Sequence, residues 1–213
     1  MVKIQANDIS KSYEVGDKSI SVIEGFSYDF IPGKIYCVWG PSGSGKSTLL
    51  KVLGLLTEPS EGFVAYDGTP IVGSGGRSNY LKNKIGWVLQ TNNLIENMSV
   101  VDNLRIGSPV KQSQQEIEKV LDDVGLLGSI DKDAKHLSGG ESQRLAFARA
   151  ILKKPEVLFI DEFTSGLDEG LEGRLVSLTR EYVESGYTAI IASHSPAVKE
   201  SADFTLEVKN NGS

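Results

Sequence analysis

Short apolar runs alternate with segments of helical period along most of the chain. Four of these runs, IYCVWG, KIGWVLQ, EVLFID and TAIIAS, have the length and the branched or aromatic content of buried strands. Because helix-like segments separate them, the pattern predicts a mainly parallel sheet flanked by helices.

The first part of the chain follows a different pattern. SISVIEGFSYDFI and GFVAYDG alternate apolar and polar positions, and the second of them ends at Asp67 and Gly68. This alternation predicts antiparallel β structure beside the parallel core.

The segment between Gln90 and Leu137 has helical spacing instead. Apolar residues recur there at i, i+3, i+4 and i+7, namely Ile117, Val120, Leu121 and Val124. We therefore expect one domain with a helical subdomain at 91–137, a core at 1–90 and 138–208, a flexible break at Gly73–Gly76, and a frayed tail at 209–213.

Composition narrows the classes of function. The net charge of −6 leaves no overall basic surface for nucleic-acid phosphates, so we expect no nucleic-acid partner. The one cysteine, Cys37, lies among apolar neighbours and is expected to be a buried small hydrophobe in a reducing compartment. No stretch approaches the roughly 18 to 20 apolar residues of a membrane span, and the first residues lack the apolar core of a secretory signal. We expect any membrane role to be exerted from the surface, through a partner.

The segment GPSGSGKST lies between a strand-like run and the helix-like STLLKVLGLL. It has the P-loop spacing in the strand-to-helix context that this motif requires. Its glycines let backbone N–H groups turn toward phosphate oxygens, and the helix N-terminus adds positive potential. We expect Lys46 to reach the β- and γ-phosphates and the Ser47 hydroxyl to bind Mg²⁺; the alternative is a plain glycine-rich loop. The predicted ATP-binding residues are Gly40, Pro41, Ser42, Gly43, Ser44, Gly45, Lys46, Ser47 and Thr48.

The run EVLFIDE ends in two adjacent carboxylates, Asp161 and Glu162. Open α/β sheets place their ligands at the carboxyl ends of strands, where such a pair would lie. We expect Asp161 to hold Mg²⁺, directly or through water, and Glu162 to orient and polarise the attacking water. The alternative is a solvated acidic strand end, which a P-loop in the same chain disfavours.

Shortly before this run, LSGGESQRLAFARAI at 137–151 resembles the signature motif of ABC ATPases. The resemblance covers about 4–208 and implies the fold of that family, an α/β P-loop NTPase with a mainly parallel core sheet, an antiparallel β subdomain and a helical subdomain. Other marks of the family follow in its usual order: Tyr13 ahead of the P-loop, Gln90 ending a strand, SGLD after the acidic pair, and His194 after the last core strand.

The resemblance implies further roles at the reacting phosphate. Gln90 would contact Mg²⁺ or the attacking water and report the nucleotide state, unless it is a plain polar strand end. His194 would contact the γ-phosphate, unless it is a satisfied structural histidine. The predicted catalytic residues are Glu162, His194, Gln90 and Lys46, and the predicted metal ligands are Ser47, Gln90 and Asp161.

Two more residues have competing interpretations. Tyr13 would stack on adenine, or its ring would pack within the β subdomain. Asp168 would lie at a dimer seam and couple two sites, or it would cap the helix that follows.

The signature motif predicts a helix capped by Ser138, with N–H donors directed outward toward an anion. Because the P-loop already covers one face of a γ-phosphate, the resemblance implies that this second site serves the ATP of another molecule. The residues concerned are Ser138, Gly139, Gly140 and Glu141. The expected assembly is a head-to-tail dimer of ATPase subunits with ATP between them, most simply a homodimer. An ordinary capped helix is the alternative.

Two positions depart from the family pattern. Phe163 follows the acidic pair where proline is usual, and Gly166 replaces a usual alanine before Asp168. We expect these changes to alter turn stiffness and seam geometry rather than chemistry.

The expected activity is Mg²⁺-dependent hydrolysis of ATP by the ATP-binding subunit of an ABC transporter. A separate integral membrane permease would receive the helical subdomain, which would place the subunit at the inner face of the cell membrane. NKIGWVLQTNNLIENMSVVDNL resembles subunits of lipoprotein-release, macrolide-export and bacteriocin-export systems, so export is favoured. The alternatives are a non-transport ABC ATPase with a soluble assembly or regulatory function, and an adenylate-type kinase, in which the signature motif has no role.

Overall fold

The computed structural model describes residues 1–91, 93–106, 108, 111–163 and 168–208; the predicted tail at 209–213 lies outside them. The strands are β1 Ile4–Val15, β2 Lys18–Phe30, β3 Ile35–Trp39, β4 Glu61–Tyr66, β5 Thr69–Pro70, β6 Ile85–Val88, β7 Val157–Asp161, β8 Thr188–Ser193 and β9 Phe204–Glu207. The α-helices are α1 Lys46–Leu53, α2 Gly73–Asn83, α3 Val100–Arg105, α4 Gln114–Asp123, α5 Gly139–Leu152, α6 Glu169–Glu184 and α7 Pro196–Ser201.

The predicted parallel core is confirmed. Its sheet has the strand order β6-β7-β8-β3-β9, and each neighbouring pair is parallel. The register sets Trp39 beside Ser193 and Asp161 beside Ala192. The carboxyl ends of β3, β7 and β8 therefore lie along one edge, which we call the carboxyl edge.

Alternate residues of the central strands enter two different hydrophobic layers. Ile35 and Cys37 pack with residues of α3 to α7, whereas Tyr36 and Val38 pack with α1 and the antiparallel sheet. Burial on both faces explains why these strands read as continuous apolar runs. Cys37 is a buried free thiol, as predicted, and desolvation raises its pKa to about 11.

The predicted antiparallel β structure is also confirmed. A second sheet has the order β2-β1-β4-β5, and each of its neighbouring pairs is antiparallel. Asp67 and Gly68 have φ of 51° and 76° and form the tight turn between β4 and β5. This sheet approaches the loop between β3 and α1 through Val22 of β2, which lies close to Gly45.

The predicted flexible break at Gly73–Gly76 is wrong, because Gly73 begins α2. The glycines suggested a flexible segment, and no opposing signal in the sequence indicated a helix. No residue of α2 is buried, and its apolar residues do not recur at helical spacing.

Contacts with other segments support the helix α2. Tyr80 and Leu81 pack, partly buried, against the core. The guanidinium of Arg77 donates two hydrogen bonds to the Leu55 carbonyl, over 3.1 and 2.8 Å, and pairs with Glu58.

The segment at 91–137 contains α3, α4 and two short 3-10 helices, Leu127–Ser129 and Ala134–His136. The predicted apolar face of α4 is buried, and α3 and α4 pack with α5 in one hydrophobic layer. Its division from the core as a subdomain remains a prediction.

Candidate active site

The loop between β3 and α1 requires glycine where other segments approach it closely. A Cβ on Gly40 would lie 2.4 Å from the carbonyl oxygen of Val208, and a Cβ on Gly45 would lie 2.9 Å from the Val22 side chain. Gly45 also has a φ of +92°, which favours glycine. The end of β9 and strand β2 thus constrain the loop, which turns directly into the N-terminus of α1.

The other residues of this loop are mostly accessible. Pro41, Ser42 and Gly43 are exposed, and Thr48 is half-buried in the first turns of α1. Ser44 is buried, and its hydroxyl has no hydrogen-bond partner among the residues that the structure describes. The loop therefore leaves residues 41–43 exposed to solvent, whereas the hydroxyl of Ser44 is buried.

Lys46 is the first residue of α1, and only 4% of its surface is exposed. Its Nζ donates to the carbonyl oxygens of Gly40 (2.8 Å) and Pro41 (2.9 Å) and lies 3.6 Å from Oε1 of Glu162. An ammonium has three donors, so the two carbonyls leave one N–H for an anionic oxygen such as that of Glu162.

Ser47 and Asp161 form an adjacent pair of oxygen ligands. Ser47 Oγ donates to Oδ1 of Asp161 over 2.7 Å, and Asp161 is 2% exposed. Burial raises the pKa of the Asp161 carboxyl, opposed by the Ser47 hydrogen bond and the charge of Lys51. Mg²⁺ takes one or two protein oxygens and completes its shell with water and phosphate oxygens, so this pair fits that ion. Within the described ranges, no group of three or more His, Cys, Asp or Glu side chains forms a metal site of its own.

Glu162 follows the last residue of β7 in an unusual backbone conformation. Its φ is +50°, which is uncommon for a residue other than glycine. Its N–H donates to the carbonyl oxygen of Ala192 in β8 over 3.0 Å, which anchors the backbone at this point. Such conformations persist where the surroundings hold them, and they concentrate at functional sites.

Three polar side chains approach the Glu162 carboxylate. Gln90 Nε2 donates to Oε2 over 3.4 Å, and Lys46 Nζ and His194 Nδ1 each lie 3.6 Å from Oε1. The side chain of Glu162 is 18% exposed and that of His194 is 65% exposed. The carboxylate therefore lies between a buried ammonium and a solvent-accessible imidazole, where a water molecule can reach it. Gln90 lies two residues beyond the end of β6 rather than ending that strand.

Ser138 caps α5, as predicted. Its hydroxyl accepts a hydrogen bond from the Glu141 N–H (3.3 Å), and its own N–H donates to Oε2 of Glu141 (2.8 Å). The second bond contributes most to lowering the pKa of Glu141. A Cβ on Gly139 would have no neighbour within 4 Å, so the first turn of α5 is open on that side.

The structure brings one group of predicted residues together at the carboxyl edge: Lys46, Ser47, Gln90, Asp161, Glu162 and His194. In the described part of the chain, no hydrogen bond or ion pair joins the signature residues Ser138, Gly139, Gly140 and Glu141 to that group.

Tyr13 is outside the buried core, with 41% of its surface exposed. It pairs with Ile20 across β1 and β2, two residues from Val22, which contacts the glycine loop. The ammonium of Lys11 lies 5.1 Å from the centre of the tyrosine ring. The ring is thus on a strand beside the loop and is accessible to a planar ligand.

The residues after the acidic pair are described only in part. Phe163 is buried and stacks on Phe147 with ring centres 5.7 Å apart, so it adds a core contact. Gly166 lies outside the described residues. Asp168 caps α6 by accepting from the Leu171 N–H over 3.0 Å, which is one of its two predicted roles; its role at a dimer seam remains a prediction.

Comparison with known families agrees with this arrangement. The family model for ABC transporters matches residues 23–165, which include the P-loop, Gln90, the signature motif and the acidic pair. The chain belongs to the ABC transporter family. It is therefore an ATP-binding and ATP-hydrolysing domain of the ABC type. Two of the predicted site residues, Tyr13 and His194, lie outside the matched segment.

Relatives of this ABC domain include proteins of different lengths. It is 36% identical over 215 residues to the lipoprotein-releasing system ATP-binding protein LolD of Bordetella pertussis, covering 97% of this chain and 93% of LolD. It is 33% identical over 217 residues to the macrolide export ATP-binding/permease protein MacB of Syntrophobacter fumaroxidans. That match covers 97% of this chain but spans only 30% of MacB.

Solved structures share the fold of this ABC domain. A dimeric ATP-binding cassette in a post-hydrolysis state with ADP and Pi superposes with a TM-score of 0.91 at 26% identity, covering 97% of this chain and 94% of the other. A bacterial Atm1-family ABC exporter with ATP bound gives 0.84 at 25% identity, covering 97% of this chain and 37% of the exporter chain. Among the described residues of the ABC domain, no helix is both long and apolar enough to cross a membrane.

Sequence reasoning missed several residues that hold the site in place. Val22 and Val208 lie close to the glycine loop, and the Ala192 carbonyl accepts a hydrogen bond from the Glu162 N–H. Ala192 and Val208 act through carbonyl oxygens, which every residue type has. The sequence therefore carries no signal for them.

Proposed function

We propose that this ABC ATPase binds ATP at the carboxyl edge and that Glu162 directs the water that attacks the γ-phosphate. The observation that carries the proposal is the convergence of Lys46, Gln90 and His194 on the Glu162 carboxylate. General bases act within hydrogen-bond reach of the proton they accept, and the accessible side of this carboxylate has room for water.

Ser47 and Asp161 are the proposed protein ligands of Mg²⁺, with Gln90 as a further oxygen ligand. Ser47 Oγ and Asp161 Oδ1 already lie 2.7 Å apart. When bound there, Mg²⁺ neutralises charge on the β- and γ-phosphates.

The proposed reaction divides the work among residues of one edge. Backbone N–H groups of 42–48 and the Lys46 ammonium hold the β- and γ-phosphates, while Glu162 and Gln90 orient a water on the far side. His194 contacts the γ-phosphate from the exposed side. The water oxygen bonds to the γ-phosphorus as the bond to the bridging oxygen of ADP breaks. The proton of the water passes through Glu162 to the released phosphate.

We propose that two copies complete each site in a head-to-tail dimer. The first turn of α5 carries Ser138, Gly139, Gly140 and Glu141, and among the described residues no hydrogen bond or ion pair joins them to the group at the carboxyl edge. A helix N-terminus with an open first turn binds anions, so it suits the γ-phosphate held by a partner. The solved dimeric cassette is consistent with this assembly. Tyr13 would stack on adenine, and Asp168 would lie at the seam.

We further propose that the dimer drives export through a separate membrane permease, which would place it at the inner face of the cell membrane. The support is the similarity to LolD, over nearly the full length of both chains, and to a segment that makes up 30% of MacB. Copurification of a polytopic membrane protein from a detergent extract tests this proposal. Recovery of soluble partners alone would contradict it.

Glu162→Gln tests the catalytic assignment. The amide keeps the size of the side chain but accepts no proton, so we expect kcat to fall by about a hundredfold or more while ATP still binds. Because the γ-phosphate then persists between the two copies, the variant should accumulate as an ATP-dependent dimer in size-exclusion chromatography.

Glu58→Gln is the matched control, since Glu58 is a surface carboxylate that pairs with Arg77 away from this edge. It should keep wild-type turnover and should not accumulate as a dimer. Unchanged turnover in Glu162→Gln would show that another group directs the water.

A further inference from the structure

Asn103 is a fully buried polar residue that the proposed chemistry does not use. It lies on α3 between Val100 and Leu104, which are both buried in the apolar core. A polar side chain in such a place destabilises the fold unless its hydrogen bonds are made. The partners of this amide therefore indicate what the residue does.

The Asn103 side-chain amide is hydrogen-bonded to both backbone groups of Ile95. Oδ1 accepts from the Ile95 N–H over 2.9 Å, and Nδ2 donates to the Ile95 carbonyl over 3.0 Å. Nδ2 also donates to the carbonyls of Ser99 (3.1 Å) and Met98 (3.4 Å). An amide offers a donor and an acceptor side by side, so the loop before α3 accounts for the residue type.

The loop that Asn103 holds is paired with the segment just before the signature helix. Ser99 and Asp133 form an antiparallel bridge. Backbone hydrogen bonds extend it on both sides: Val100 N to Lys132 O (2.9 Å), Ala134 N to Met98 O (2.9 Å) and Lys135 N to Glu96 O (3.1 Å). We call residues 95–100 and 132–135 the ladder.

Each side of the ladder leads to a residue of the proposed ATP sites. The first side follows Gln90, whose amide contacts Glu162. The second side leads through Leu137 to Ser138, the cap of α5. Arg149 of α5 adds a bond from Nη1 to the Asn93 carbonyl over 2.9 Å. The ladder is thus a hydrogen-bonded link between the segment that follows Gln90 and the segment that precedes the signature helix.

We propose that Asn103 is a positioning residue for ATP hydrolysis, which holds the ladder on α3 and so sets the signature helix relative to Gln90. The inference rests on the proposed function, in which Gln90 serves one ATP and Ser138 serves the ATP of the partner. Displacement of catalytic groups by about 1 Å can lower a rate by the order of a hundredfold. The P-loop contains no residue of the ladder, so we expect the affinity of a single copy for ATP to depend much less on Asn103 than kcat does.

Asn103→Leu in the full chain tests the proposal, because leucine keeps the volume and removes the hydrogen bonds. We expect kcat to fall by about tenfold or more, while the affinity for ATP, measured by direct titration, changes by less than about twofold. Activity is measured at temperatures where circular dichroism shows the wild type and the variant to be folded. Ser113→Ala is the matched control, since it removes the cap of α4 in the same part of the chain and should keep wild-type kcat.

Asn103→Asp gives a readout that a purely structural role would not produce. The ionised carboxylate faces carbonyl oxygens, whereas its protonated form again offers a donor and an acceptor. The ratio of its kcat to the wild-type kcat should therefore rise as the pH is lowered, while the ratio for Asn103→Leu stays flat. Taking the ratio removes the titration of charged side chains that all the proteins share, including those of the ladder, Glu96, Lys132, Asp133 and Lys135.

Three results would overturn this inference: wild-type kcat in Asn103→Leu, an equal loss of ATP affinity and kcat, or a flat pH ratio for Asn103→Asp. If the leucine variant does not fold, the pH ratio decides alone. A wild-type protein without ATP turnover would instead overturn the proposed function, and this inference with it.

Discussion

At the carboxyl edge, some residues matter because they lack a side chain or hold an unusual backbone conformation, and others because of their side-chain groups. Gly45 gives the loop a left-handed turn directly against Val22, and Lys46 places an ammonium inside that turn. Glu162 keeps a φ of +50° because the Ala192 carbonyl holds its N–H. Backbone geometry and side-chain chemistry are therefore coupled at neighbouring positions.

Gly45→Ala should destabilise the protein and impair nucleotide binding. A left-handed φ costs about 1–2 kcal/mol for a residue with a Cβ, and the Cβ would also collide with Val22. We expect the free energy of unfolding, measured with urea, to fall by about 2 kcal/mol or more, and the affinity for ATP to fall at least about tenfold.

Gly68→Ala is the control for this prediction. Gly68 has a φ of +76° in the turn between β4 and β5, but a Cβ there would have no neighbour within 4 Å. In this variant the free energy of unfolding should fall only by the cost of the left-handed φ, about 1–2 kcal/mol, and ATP should bind as it does to the wild type. Equal effects in both variants would show that the contact with Val22 is unimportant.

At the scale of elements, the start of α4 is joined by an ion pair to the segment just after α5. Ser113 and Glu116 form a capping box, and Oε1 of Glu116 lies 2.7 Å from Nζ of Lys154. The bond from Lys154 contributes most to lowering the pKa of Glu116, to about 2. We therefore expect the start of this helix to be sensitive to acid.

Glu116→Gln should destabilise the protein at neutral pH and less so in acid. A carboxyl whose pKa is lowered on folding stabilises the folded state above its unfolded pKa, and this contribution is lost as the pH falls toward the folded pKa. The difference in free energy of unfolding between wild type and variant should therefore shrink from about pH 6 to about pH 3, as urea unfolding can measure.

The partner lysine provides the check on this prediction. In a Lys154→Met background, the same Glu116→Gln change should have a smaller effect that depends less on pH. An undiminished effect would assign the pKa shift to the capping box alone.

At the scale of the whole molecule, the chain has two features for which we propose anion binding, and no hydrogen bond or ion pair joins them within the parts of the chain that the structure describes. The glycine loop belongs to the group around Glu162, whereas α5 begins with a capped and open first turn. Two copies in opposite orientation would bring each feature to the other, which is the proposed dimer.

Gly139→Ala should separate the stability of one copy from the activity of two. A Cβ has open space around it in a single chain, and alanine favours helix over glycine by up to about 1 kcal/mol. We expect an equal or higher free energy of unfolding but a kcat lowered by about a hundredfold, because the methyl group would obstruct the triphosphate of the partner.

Gly173→Ala, at an exposed position of α6 with no neighbour within 4 Å of its Cβ, is the matched control. It makes the same substitution in a helix that the mechanism does not use. Stability should rise and turnover should stay unchanged. Wild-type turnover in Gly139→Ala would contradict the proposed dimer.

Much of the candidate site and of the local structure was predictable, because it depends on particular residue types at short spacing in the sequence. The P-loop, the acidic pair, the apolar face of α4 and the cap at Ser138 each depend on neighbours within a few turns of chain. The burial of Cys37 followed in the same way from its apolar run. The same local reasoning failed at Gly73–Gly76, where Arg77 joins α2 to the carbonyl of Leu55.

The amino-acid sequence by itself thus determined the parallel core, the nucleotide loop, the candidate catalytic groups and the family. Only the tertiary structure decided that Val208 closes on Gly40, that Ala192 holds Glu162, and that the buried amide of Asn103 supports the ladder. The physical reason is that these contacts use backbone carbonyl and N–H groups, which are the same in nearly every residue. Their positions follow from how distant segments pack.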